Sequence, residues 1–176
     1  MMKKFIRCKR YKEANENNWS KSRRNKDNFQ NWCKECYKEY RSENKDKCNL
    51  NNINNRAVRK GFKEKIHMDD YIKMKKFFSD DEGNIRCAYT GNILDNTTFS
   101  IDHLQAYNEG GRNIIPNIIP CMRGRNYSKG DKTLEKWYQK QEFFDRNRLH
   151  KIYDWINYAT YELLKTDFDD IIDKHE

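Results

Sequence analysis

No apolar run in this chain approaches the roughly 20 residues that a membrane-spanning helix needs, and its charged start lacks the apolar stretch of an export signal. A soluble, intracellular protein with no membrane partner is the expectation. Without export, the six cysteines at positions 8, 33, 36, 48, 87 and 121 read as free thiols or metal ligands rather than disulfides. Glycine (7) and proline (2) are scarce, which excludes Gly- or Pro-rich linkers and makes each one a mark of a turn or an element end. Acidic residues are scarce only at the start. Residues 1–65 hold 20 Lys+Arg against 8 Asp+Glu, while the remaining 111 hold 16 against 19, so the net charge of +9 is an N-terminal property. Such a basic excess favours a polyanionic partner without identifying one. Asparagine is abundant, at 21 residues, so each must be judged by its neighbours.

The 176 residues fit one domain plus a small satellite. Residues 1–32 show little periodicity and many turn formers, as in Asn15-Glu16-Asn17-Asn18 and Asn25-Lys26-Asp27-Asn28, and need an outside constraint to be ordered. From about 32 to 47 the pattern suits a charged helix, with Trp32, Cys36 and Tyr40 four apart on one stripe. The asparagine-rich stretch 49–55 then reads as a linker or a frayed helix. Asp69 or Asp70 can cap a helix through about Phe78, with Tyr71, Met74 and Phe78 as its apolar face.

Residues 97–107 are rich in β-branched and aromatic types and predict a strand, on which Asp102 and His103 point to opposite sides. Glu109-Gly110-Gly111-Arg112 marks a turn, and Ile118-Ile119-Pro120 a short return strand with Pro120 tolerable only at its end. Helix-compatible residues resume near Met122. Thr133 caps an amphipathic helix bearing Leu134, Trp137, Tyr138 and Phe144, and a second carries Leu149, Ile152, Tyr153, Ile156 and Leu163. Residues 166–176 hold five acidic residues and one lysine and read as a loose acidic tail.

Chemistry concentrates between Arg86 and Thr133. Cleaving a phosphodiester takes a nucleophilic water, a base to deprotonate it, and a cation to neutralise charge on the phosphate. His103 has a pKa range suited to the base, Asp102 offers a hard anionic oxygen, and a carboxamide from the next helix, Asn126, completes a spare ligand set for Mg²⁺. A strand, a turn, a return strand and a helix carry these groups in the order needed to bring them together.

Cys87-Ala88-Tyr89-Thr90-Gly91, Asp102-His103, Gly110-Gly111, Asn117-Ile118-Ile119-Pro120 and Asn126 with Lys129-Gly130 together resemble the HNH endonuclease family, over roughly a quarter of the chain. The resemblance implies a ββα-metal core in which His103 is the general base, Asp102 and Asn126 hold Mg²⁺ (or Mn²⁺), and Asn117 braces the loop that orients the histidine. It also implies nucleic-acid contacts from Lys129, Arg112 and Arg125, with double-stranded DNA as the expected partner. The chain departs from the family at Leu104-Gln105-Ala106, where a proline is common, and lacks the paired Cys-x-x-Cys that clamp many relatives with zinc. Thr90, Met122 and Arg125 stand at those positions.

Cys8 with Cys33-Lys34-Glu35-Cys36 resembles the N-terminal zinc-ribbon-like modules of phage-type HNH nucleases, with Cys8, Cys33 and Cys36 as candidate Zn²⁺ ligands. A fourth cysteine is replaced by Tyr11, leaving Cys48 or water for that position. Arg7, Lys9, Arg10, Lys21, Arg23, Arg24 and Lys26, interleaved with Tyr11, Trp19, Phe29 and Trp32, which can stack on bases or support the fold, suit an accessory nucleic-acid grip, which Arg56, Arg59, Lys60 and Lys63 extend. The expectation is an α+β protein: a basic zinc-ribbon-like module (1–48), a helical connector (49–84), an HNH nuclease core with closing helices (85–165) and the acidic tail. A catalytically inactive DNA-binding protein on the same scaffold and an RNA-directed nuclease are the alternatives.

Overall fold

The computed structural model describes residues 2–4 and 7–172, with side chains through Lys165. The protein is mixed α+β, with three two-stranded antiparallel sheets and six α-helices among the described residues. It divides into two compact units, Met1–Asn49 and Leu50–Glu176.

In the first unit β1 (Met2–Lys4) pairs with β2 (Tyr11–Glu13), and β3 (Trp19–Lys21) with β4 (Phe29–Cys33), which runs directly into α1 (Lys34–Glu43). Short polar side chains make the turns. Asn15 Oδ1 accepts from the backbone N–H groups of Asn17 and Asn18, Asp27 Oδ1 accepts from Phe29 N–H, and Asn28 sits at φ +58°, a left-handed conformation that asparagine tolerates. Trp19, Cys33 and Cys36 are the buried core among the described residues of this unit. So small an apolar core offsets little of the entropy of ordering the segment.

The stretch 49–55, expected as a linker or a frayed end, lies inside α2 (Lys45–Arg59). Leu50, Ile53 and Ala57 fall on one face; Leu50 joins the second unit's core with Ile53 packed against it, Ala57 is fully buried, and this burial outweighs the weak helix propensity of the intervening asparagines. Next comes α3 (Met68–Phe77), whose buried face is Tyr71 and Met74, with Phe78 just beyond its end. Its cap is His67, which makes no side-chain capping bond. Asp69 and Asp70 stand instead in the first turn, where their charge meets the positive end of the helix.

The second unit's sheet is β5 (Phe99–His103) against β6 (Ile118–Met122), with Asp102 opposite Ile119 and His103 opposite Ile118. Pro120 stands within β6 rather than at its end. Its carbonyl faces away from β5 and accepts from Ala88 N–H at 2.9 Å, so the missing N–H falls on the free edge and no ladder bond is lost. Between the strands, single 3₁₀ turns at Tyr107–Glu109 and Ile115–Asn117 flank the Gly-Gly pair. Gly110 has φ +79°, and a Cβ on Gly111 would lie 1.9 Å from the Gln105 carbonyl oxygen, so this turn closes only around a bare backbone.

After β6 come α4 (Arg123–Lys129), α5 (Leu134–Tyr138) and the long α6 (Arg146–Ile172). Thr133 caps α5 as expected, accepting from Lys136 N–H at 3.3 Å, whereas Phe144 falls in the turn before α6. Ile152, Trp155 and Ala159 form the buried stripe of α6, and Trp155 Nε1 donates to the Ile118 carbonyl at 2.8 Å, pinning β6 to the helix. Tyr153, expected on that apolar face, is exposed. The expected tail from 166 begins within α6, whose backbone continues to Ile172, and its remainder lies outside the described residues. No helix of the described residues is long and apolar enough to cross a membrane.

Candidate active site

A cleft of about 340 Å³ opens beside β5 and α4, lined by Ser100, Asp102, His103, Asn126 and Tyr127 together with the cations Arg56, Lys60 and Arg123. His103 reaches it from the last position of β5. Its Nε2 lies 3.2 Å from Asn113 Oδ1, which also accepts from Tyr107 Oη at 2.9 Å. Asn113 is 0% exposed, and its Nδ2 donates to Asn54 Oδ1 at 2.9 Å and to the Glu64 carbonyl at 3.1 Å. Those two acceptors fix which end of the carboxamide is oxygen. That oxygen can only accept, so Nε2 carries the hydrogen and Nδ1 keeps its lone pair. Burial lowers the His103 pKa to about 4, with Arg56 and Lys129 adding to the effect and the Asn113 bond opposing it. The ring is therefore neutral at pH 7, in one tautomer.

Asn54 is held in turn, exchanging hydrogen bonds with the backbone of Ile66 at 2.9 and 3.0 Å. The same helix, α2, brings Arg56 to the cleft and Lys60 follows just past its end; the Arg56 guanidinium lies over the Tyr107 ring and Lys60 Nζ donates to Asn108 Oδ1. The sequence expectation had put these two cations in an extension of the N-terminal basic region. Asn113, Asn54 and Arg123 were not foreseen at all.

Asp102 and Asn126 both line the cleft, in different states. Asn126 Nδ2 donates to Ser100 Oγ at 3.0 Å and to the Ile101 carbonyl at 2.7 Å, an arrangement that leaves Oδ1 as an acceptor with no donor among the described residues. Asp102 is 3% exposed and fully engaged: Tyr89 Oη donates to its Oδ2, and Lys129 Nζ lies 3.3 and 3.2 Å from its two oxygens. Burial raises the Asp102 carboxyl above its ordinary value, while Lys129 and Tyr89 oppose that rise.

Lys129 corrects an expectation. Placed by sequence as a phosphate contact, it is 0% exposed, with its ammonium also donating to the His103 carbonyl at 2.8 Å. It ties α4 to β5 and cannot reach a bound strand. Arg112 and Arg125 likewise lie outside the cleft, Arg112 paired with Glu64 at 2.8 Å and Arg125 stacked 4.4 Å from the Phe143 ring. Helical phase explains Arg125: it stands two residues, about 200°, from Arg123, which does line the cleft. Asn117 braces the loop and does not line this cleft, and the hydrogen bond to the His103 ring is made by Asn113. Asn117 Nδ2 donates to the carbonyls of Gln105 and Arg112, and its Oδ1 accepts from Gln105 N–H, stapling the loop after β5.

No protein-family model matches the chain, and no curated protein matches it.

In the first unit, Cys8, Cys33 and Cys36 bring three sulfurs within 4.8 Å of one another, the only cluster of three or more His, Cys, Asp or Glu among the described residues with metal-binding geometry. Cys33 caps α1, its Sγ accepting from Cys36 N–H at 3.3 Å, which explains why the Cys-x-x-Cys spacing turns both thiols inward. Burial, with the two neighbouring thiols, pushes the Cys36 thiol up to about 12. A cation among them would reverse that, so the cluster can bind a metal such as zinc. Cys48, in the first turn of α2, stands outside the cluster, and Tyr11 is an exposed strand residue. Of the two roles open to the aromatics, Trp19 takes the supporting one, as buried core, and of the cations expected in the grip Arg7 and Lys21 are paired with Glu43 and Glu16. Cys87 and Cys121 are buried free thiols.

Lys129→Met leaves Asp102 buried without its cation and is expected to lower unfolding stability by about 3–5 kcal/mol in urea titration. Adding Asp102→Asn should recover most of that loss. A single variant as stable as wild type would contradict the buried pair.

Proposed function

We propose that the second unit is a metal-dependent endonuclease of the HNH type that hydrolyses DNA phosphodiesters. The single observation that carries the reading is the meeting, in one cationic cleft, of a neutral histidine whose Nδ1 makes no hydrogen bond among the described residues and a carboxamide oxygen that has no donor among them. The order of β5, β6 and α4 supports it. In this mechanism Arg56, Lys60 and Arg123 hold backbone phosphates without reading sequence. His103 Nδ1 takes a proton from a water as that water's oxygen bonds to phosphorus and the P–O ester bond breaks, the leaving oxygen being protonated from solvent. Asn113 keeps the ring in the tautomer able to do this, and the Asn117 staple holds the loop behind it.

Asn126 Oδ1 and Asp102 are the oxygens that would hold a divalent cation, which supplies charge neutralisation at the phosphate. The donor set is spare: one free carboxamide oxygen, and a carboxylate that already accepts from Lys129 and Tyr89. An ion such as Mg²⁺, which keeps several of its waters, suits it better than one needing a full protein cage. The Lys129–Asp102 pairing favours a second reading, a protein that binds DNA on this scaffold without cutting. The thiol cluster of the first unit we assign to structural Zn²⁺, a role that the unit's small core makes useful.

Supercoiled plasmid separates the two readings. Wild-type protein with Mg²⁺ should nick it, EDTA should stop the reaction, and His103→Ala and Asn126→Ala should each lower the rate at least about 100-fold while retaining gel retardation. Retardation without nicking by wild type would establish the binding-only reading, and cleavage of structured RNA in place of DNA would move the substrate class. Zinc is tested by metal analysis of the purified chain. About one zinc per chain is expected, lost in Cys36→Ser, and wild type free of zinc would overturn the assignment.

A further inference from the structure

Tyr127 is 91% exposed, although it stands in the wall of the cleft that holds His103. With Arg123 and Asn126 it occupies one face of α4 at helical spacing. Tyr107, the other tyrosine of the cleft, is packed against His103 at 4.3 Å and Phe62 at 5.0 Å, with Arg56 above its ring. The Tyr127 ring has no aromatic or cationic neighbour among the described residues. A ring held this far into water gains nothing for the fold. Its surroundings indicate its partner: Arg56, Lys60 and Arg123 line the same cleft, while Asp131, its exposed carboxylate, is occupied by the Asn108 carboxamide at 2.8 Å. The charges suit a phosphate backbone, and Tyr127 is then the flat apolar surface beside it.

We propose that Tyr127 is a stacking residue, taking the face of a nucleobase next to the phosphate held at His103, and that the cleft therefore prefers a strand whose base stack is interrupted there. The proposal rests on the nuclease reading for its substrate and deepens it. In continuous duplex both faces of every base are covered by neighbours, so a side chain can stack only where a bulge, flap or single-stranded junction leaves a face open. Arg123, one turn away, anchors the adjoining phosphate by charge alone and does not distinguish the two kinds of strand. The hydroxyl of Tyr127 plays no part.

The test is binding rather than cutting, with EDTA present and fluorescently labelled DNA in two forms: a continuous duplex and the same duplex carrying one unpaired nucleotide. Wild type should bind the bulged form about ten-fold more tightly, Tyr127→Phe should keep that preference, and Tyr127→Ala should lose it while binding the continuous duplex unchanged. A preference that survives in Tyr127→Ala, or is lost equally in Tyr127→Phe, overturns the proposal. Because no chemistry is read, a wild type that fails to nick plasmid yet shows this pattern sinks the nuclease reading and leaves the stacking role standing. Nicking with equal affinity for both forms does the reverse, and a wild type that neither nicks plasmid nor binds either form overturns both.

Discussion

The carboxamide of Asn113 is the contact on which the cleft depends. Its oxygen accepts from His103 and Tyr107, its nitrogen donates to Asn54 and to the Glu64 backbone, and the Asn113 side chain itself is fully buried. A buried carboxamide with every site filled has one orientation, because reversing it would set its oxygen against two acceptors, Asn54 Oδ1 and the Glu64 carbonyl. That fixed orientation is passed to the imidazole as a fixed tautomer. It also joins α2, which carries Arg56 to the cleft, to the hairpin that carries His103. Helix α2 is thus placed by the same group that prepares His103.

Two further ties hold the frame. Lys129 binds α4 to β5 through Asp102 and the His103 carbonyl, so the helix bearing Asn126 cannot slide along the strand bearing His103. Asn117 closes the loop that carries Gly110 and Gly111, and Trp155 fastens β6 from behind. The result is a neutral imidazole and, among the described residues, a carboxamide oxygen without a donor, in a cleft lined by Arg56, Lys60 and Arg123.

The hairpin, α4 and the Thr133 cap were legible in the sequence because each has a local signature: alternating β-branched residues, a Gly-Gly turn that admits no side chain, a hydroxyl before an apolar run. Asp102, His103, Asn117 and Asn126 stood out by order and spacing, and the bracing role of Asn117 was legible with them. Asn113 and Asn54 were not. They meet across 59 positions of sequence, and nothing local separates them from the other asparagines of the chain. Lys129 was misread for a related reason: whether a lysine before a glycine faces phosphate or the core depends on which helix face is buried, and only the packing of α4 on β5 decides that. Arg125 and Arg123 differ by the same phase. The helix through the asparagine-rich stretch was hidden because tertiary burial of Leu50, Ile53 and Ala57, rather than propensity, makes it.

The state of the His103 ring tests this account at its root. In ¹⁵N-labelled protein at pH 7, long-range proton–nitrogen correlations should show Nε2 protonated and Nδ1 bare, with a second tautomer emerging in Asn113→Leu. An Nδ1-protonated ring or an imidazolium in wild type at that pH, or a ring unchanged by the loss of Asn113, would contradict it.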